Sequence, residues 1–67
     1  MNPKIIGAKL KELRGDRTQL EIANAIGVTT MAISQYENGE RVPRDEIKIK
    51  LAALFKVNIE ELFFTSE

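Results

Sequence analysis

Residues 19–38 constrain the fold more than any other stretch of the chain. Two apolar patterns of helical period, each about two turns long, are separated only by Gly27-Val28-Thr29. Helices joined this closely cross at a steep angle, and the crossing makes steric demands. Ala23 stands where the helices meet, and a larger side chain there would hold them apart. Gly27 stands where the chain reverses, in a turn whose positive φ glycine adopts at little cost. Ile22, Ile26, Val28, Ile33 and Tyr36 point from both helices and the turn into a shared interior. One or two such matches would mean little, but restriction at all of these positions together predicts a helix-turn-helix.

The flanks add three further helices. Asn2 and Pro3 supply an N-cap acceptor and a first-turn proline, and Ile6, Leu10 and Leu13 then recur at helical spacing to about Arg14. Gly15-Asp16 breaks that helix. Thr18 and Glu21 form a capping box for the second helix, Thr29 caps the third, and Asn38-Gly39 stops it. After a loop at 40–43, a fourth helix is predicted from about Arg44 to Phe55, with Ile47, Leu51, Leu54 and Phe55 inward. Asn58 and Glu61 read as another capping box, opening a short fifth helix that carries Ile59, Leu62 and Phe63. No segment alternates as a strand would. The expected fold is all-α, five short helices in a single domain over residues 1–67.

Composition narrows the function. A chain of 67 residues buries only ~60% of the surface its unfolded form exposes, so its core must be economical. It has neither cysteine nor histidine, so disulfides, the usual zinc ligands and the commonest general base are all missing. Asp45-Glu46 and Glu60-Glu61 are adjacent pairs whose side chains diverge on a helix; they read as a helix start and a solvated face. An enzyme is not supported, and no metal, cofactor or small-molecule ligand is expected. No apolar run reaches the ~20 residues of a membrane span. The start, Met1-Asn2-Pro3-Lys4, lacks the pattern of a signal peptide, so a cytoplasmic location is expected. Net charge is zero but unevenly placed. Residues 1–44 carry seven Lys/Arg against five Asp/Glu, giving +2; residues 45–67 carry three against five, giving −2.

Gln19-Leu20-Glu21-Ile22-Ala23, Ile26-Gly27-Val28 and Ile33-Ser34-Gln35-Tyr36-Glu37-Asn38-Gly39 together resemble the Cro/cI-type (XRE) helix-turn-helix family, which includes phage repressors and restriction-modification controller proteins. The resemblance extends through Leu51-Ala52, Val57 and Ile59-Glu60-Glu61-Leu62-Phe63. It implies a lambda-repressor-like domain whose third helix enters the DNA major groove. Two departures stand out. The loop after the first helix is about two residues shorter than usual, and Arg17 occupies the place of a core leucine. Leu20 is expected to turn inward in compensation.

On this reading Thr30, Met31, Ser34 and Gln35 form the base-reading face, because Ile33 and Tyr36 take the inner one. Gln35 can pair with the N6/N7 edge of adenine, while Met31 and Ala32 can meet a thymine methyl. Taken singly, Thr30 and Ser34 fit an ordinary helix surface equally well. Thr18 and Gln19 bring a helix N-terminus toward a phosphate. Arg17, Arg41 and Arg44 lie on loops beside the motif, and the resemblance adds Asn38 to the phosphate set. It also pairs Glu37 with Arg14 as a structural ion pair between the first and third helices.

The third helix has no lysine or arginine, so one domain alone should hold double-stranded DNA weakly at physiological salt. A homodimer on a roughly palindromic site remedies this, with half-sites ~34 Å apart. Leu62, Phe63 and Phe64 are consecutive, and one short helix is not expected to bury all three. They are assigned to the dimer interface. A protein of this size is expected to act as a repressor of its own or a neighbouring promoter, with no sensor domain. The competing reading, favoured slightly by the neutral charge, is an antitoxin-type or other protein-interaction module that keeps the fold with little DNA binding.

Overall fold

The computed structural model describes residues 2–64 and contains five α-helices: α1 (Pro3–Arg14), α2 (Gln19–Ile26), α3 (Thr30–Glu37), α4 (Asp45–Phe55) and α5 (Ile59–Phe63). Among the described residues there is no strand. The caps explain the boundaries. Asn2 Oδ1 accepts from the Lys4 and Ile5 amides at 3.0 and 3.3 Å. Thr18 and Glu21 close a reciprocal capping box, Oγ1 accepting from the Glu21 amide at 3.0 Å and Oε1 from the Thr18 amide at 3.2 Å. Thr29 Oγ1 accepts from the Ala32 amide at 3.1 Å. Between α2 and α3 the chain reverses through Gly27 at φ 75°.

α1 and α2 both pack across α3, α4 lies against α2, and α5 bridges α4 and α1. Ile6 and Leu10 of α1 join Ile22, Ala23 and Ile26 of α2, Ile33 and Tyr36 of α3, Ile47 and Leu51 of α4, and Leu62 and Phe63 of α5 in one core. Ala23 is 1% exposed, as a helix crossing requires.

Several sequence expectations need correction. Leu62 and Phe63 are core residues, 3% and 2% exposed, so they are not available to a dimer interface. The reason is that α5 folds back between α4 and α1 and buries two of the three consecutive apolar residues, leaving only Phe64 outside. Leu20 does not turn inward; it is 57% exposed. Arg17 stays exposed and folds back on the end of α1, with its guanidinium 5.2 Å from the centroid of the Phe55 ring and donating to the Leu13 carbonyl at 3.1 Å. Ala32 is buried, because residue 32 shares the inner face with Ile33 and Tyr36. Asn58 caps α5 by accepting from the Glu60 amide at 2.8 Å, not through a box with Glu61. α4 begins at Asp45 and buries Lys48 and Ala52 beside Ile47 and Leu51, while Leu54 and Phe55 stand half-buried at the core's edge.

Two contacts fix α3. The first is a close backbone approach. A Cβ on the buried Gly7 would lie 2.6 Å from the Tyr36 carbonyl oxygen and would collide with that of Glu37. Only glycine lets α1 come this near the end of α3. The second is the Glu37 carboxylate. Arg14 Nε donates to Oε2 at 2.7 Å, Arg14 Nη2 donates to Oε1 at 3.1 Å, and Gln19 Nε2 donates to Oε1 at 3.0 Å. The Glu37 side chain is only 4% exposed, yet three donors from α1 and α2 satisfy it. Its hydrogen bond to Glu37 raises the Arg14 guanidinium above its already high pKa, with desolvation opposing the rise.

Both contacts are testable by thermal unfolding. Gly7→Ala gains ~1 kcal/mol of helix propensity but forces a methyl into backbone, at a cost of about 1–3 kcal/mol. A lower Tm is expected, whereas a rise would show that α1 is not so closely packed. Glu37→Ala leaves Arg14 largely buried without its anion and should destabilise by about 3 kcal/mol. A change near zero would mean that the carboxylate does not hold α3.

Candidate nucleic-acid interface

With Ala32, Ile33 and Tyr36 buried, α3 turns residues 30, 31, 34 and 35 outward. Thr30 is exposed, Met31 is 70% exposed, and Ser34 and Gln35 are half-buried. The two glutamines of the motif differ. The Gln19 amide is committed to Glu37, whereas the Gln35 side chain has no hydrogen-bond partner among the described residues. Ser34 Oγ accepts from Asn38 Nδ2 at 3.4 Å, which links the last turn of α3 to its cap. This surface has no net charge of its own and offers one free amide, two hydroxyls and a thioether: hydrogen bonding and apolar contact without ionic attraction.

The basic residues surround this face. Arg41 lies with its guanidinium 5.9 Å from the Tyr36 ring centroid. Arg44, at the start of α4, stands 3.7 Å from Glu46, with both side chains about 70% exposed. Such an exposed pair is worth at most ~1 kcal/mol, so Arg44 is readily recruited elsewhere. Arg41 and Arg44 line one open cleft against the α2–α3 turn. Arg17 does not join them. It is exposed but turned back on the end of α1, over Phe55. Thr18 Oγ1 is occupied by the capping box, and Asn38 remains exposed after α3. The arginines and polar caps thus fall into two groups: Arg41, Arg44 and Asn38 beyond the end of α3, and Arg17, Thr18 and Gln19 at the α1–α2 loop. In the second group the Arg17 and Gln19 side chains already serve the fold.

Sequence reasoning missed Gly7, the Gln19–Glu37 hydrogen bond and the burial of Lys48. Gly7 carried a readable signal, because it interrupts the apolar face between Ile6 and Leu10. A helix tolerates glycine there at a loss unless a neighbour must come close. Nothing local marked Gln19, since its partner is eighteen residues away. Lys48 reads as a surface cation, yet its ammonium lies 5.7 and 5.0 Å from the ring centroids of Phe63 and Phe64 and 3.7 Å from Asp45.

No helix among the described residues is long and apolar enough to cross a membrane. Comparison with known proteins agrees with the fold. Residues 10–62 match the family model described as Helix-turn-helix. The chain is 38% identical, over 65 residues, to the cryptic phage CTXphi transcriptional repressor RstR of Vibrio cholerae, with 94% of this chain and 59% of that protein covered. A second RstR, from Vibrio cholerae serotype O1, is 34% identical over 47 residues, covering 70% of this chain and 42% of that protein. The HTH-type transcriptional regulator YgzD of Bacillus subtilis, itself uncharacterized, is 30% identical over 61 residues, 88% of this chain and 92% of its own length. The chain therefore spans about half the length of the phage repressors it matches. No solved structure matches it. The family match runs from within α1 into α5 and takes in both helices of the motif, so the chain belongs to the XRE-type helix-turn-helix family of DNA-binding transcriptional regulators.

Proposed function

We propose that this domain acts as a dimeric, sequence-specific repressor in the cytoplasm, reading a roughly palindromic operator with α3 in the major groove. The observation that carries the reading is the contrast between the two sides of α3. Its inner side is pinned by Glu37 and by the close approach at Gly7, while its outer side leaves Met31 exposed and the Gln35 amide without a partner among the described residues. A rigid helix with free, uncharged hydrogen-bonding groups suits base recognition. Gln35 pairs with an adenine edge, Met31 meets a thymine methyl, and Thr30 and Ser34 supply hydroxyls. Arg41, Arg44 and Asn38 hold phosphates beyond α3, and the Thr18 end of α2 offers its unpaired amides to another. Gln19 and Arg17 reach DNA only by leaving Glu37 and Phe55, so their share in phosphate binding is the smaller. Repression is the role for which the phage relatives are named.

For the dimer, Phe64 is the apolar residue left at the α5 end, 56% exposed. A second copy pairing there doubles the base contacts and compensates for the weak charge of one domain. The acidic Glu60 and Glu61 lie at that end and fit a face turned away from DNA.

The experiment is duplex binding at low and raised salt with palindromic and random sequences. Gln35→Ala should relax preference at one base position, worth about 1–3 kcal/mol of discrimination, while Arg44→Ala should weaken all duplexes alike. Equal loss of specificity from both would contradict this sorting. Absence of binding to every duplex at low salt would favour a protein-interaction module instead. In sedimentation, Phe64→Glu should raise the monomer fraction; an unchanged mass distribution would remove the proposed interface.

A further inference from the structure

The distribution of cations around α3 singles out one place. An open cleft of about 340 Å³ runs between the α2–α3 turn, the inner end of α3 and the first turns of α4. Three cations line it, Arg41, Arg44 and Lys50, against one anion, Glu46, which makes the lining +2 in a chain whose net charge is zero. Lys50 is exposed and has no ion-pair partner among the described residues. It stands four residues after Glu46, one turn further along the same face of α4. Among the described residues Arg41 has no ion pair either; its guanidinium lies 5.9 Å from the Tyr36 ring centroid. Arg44 has Glu46 at 3.7 Å, an exposed and weak contact. Like charges gathered around an open cleft repel one another and are relieved by an anion. Thr29, which caps α3, lies on the opposite wall, so the cleft flanks the proposed reading helix.

We propose that this cleft is a phosphate clamp in which Lys50, on the second turn of α4, is a DNA-backbone ligand together with Arg41 and Arg44. The inference rests on the DNA-binding reading above and deepens it. Glu46 then acts as a competitor. In the free domain it neutralises Arg44, and in the complex a phosphate oxygen replaces it. A backbone contact of this kind fixes where α3 stands on the duplex and carries no base information.

The test measures binding of the full chain to two duplexes over a range of salt concentrations. One duplex is selected from a random pool and the other is an unrelated sequence of the same length. Lys50→Gln should lower the salt dependence by about one counterion per bound copy and weaken both duplexes alike, by ~8-fold per copy at 0.1 M salt. Lys50→Arg should restore both. Glu46→Gln, which removes the competing charge, should tighten both duplexes about two- to fivefold. The opposite signs of these neighbouring substitutions separate a phosphate site from a merely structural role. Unchanged affinity and slope in Lys50→Gln, with normal binding by the unmodified protein, would overturn the clamp alone. A loss confined to the selected duplex would overturn it too, since it would make Lys50 a base reader. Failure of the unmodified protein to bind either duplex would overturn the reading beneath it and the clamp with it.

Discussion

A buried carboxylate orders this domain. Glu37 sits at the end of α3, almost sealed from water, and three nitrogens from two other helices converge on its oxygens. A charge in that position is tolerable only because it is fully paired, and the pairing specifies geometry in return. Arg14 fixes the distance between α1 and α3; Gln19 fixes the start of α2 against the end of α3. The glycine contact at residue 7 works with it, bringing the α1 backbone against the same carbonyls. Hydrophobic burial alone would leave three short helices free to slide on one another. The directional bonds to Glu37 remove that freedom and leave the outer face of α3 in one orientation.

The proposed reading helix carries little charge. α3 contains no lysine or arginine, and its acidic residue is the buried Glu37. In the proposed complex, hydrogen bonds and apolar contacts discriminate between sequences while attraction comes from the loop and helix after α3. That division puts specificity on a rigid element and affinity on an exposed cleft whose side chains are only loosely tied. In that complex the uncharged reading face of α3 would add little to non-specific binding, which is almost wholly electrostatic. The tie between Gln19 and Glu37 illustrates the cost of so small a fold: a side chain at a helix N-terminus, well placed for a phosphate, is used to hold the helices together.

Much of the fold was legible because its determinants are local. The caps at Asn2, Thr18 and Thr29, the turn at Gly27 and the small residue at Ala23 act within a few residues of themselves, and the helices begin and end where they indicate. What could not be read depended on distant partners. Arg17 looked like a loop cation available to DNA; its place over Phe55 needs knowledge of where α4 ends. Leu62 and Phe63 looked like surplus apolar surface, because the sequence does not say that α5 returns to α1 as well as α4. Lys48 looked solvated, yet its stem is buried and its ammonium faces two rings. The outward residues of α3 followed from helical period, except at Ala32, where the buried face is one residue wider than the two large side chains implied.

In the proposed complex α3 reads a short base sequence, and two copies do so symmetrically. Selection of bound duplexes from a random pool tests it most directly, because it returns sequence, symmetry and spacing in one measurement. The expected result is enrichment of a site with two inverted halves, centred one helical turn apart, about 10 base pairs. Enrichment of no sequence, or of sites without inverted symmetry, would contradict it.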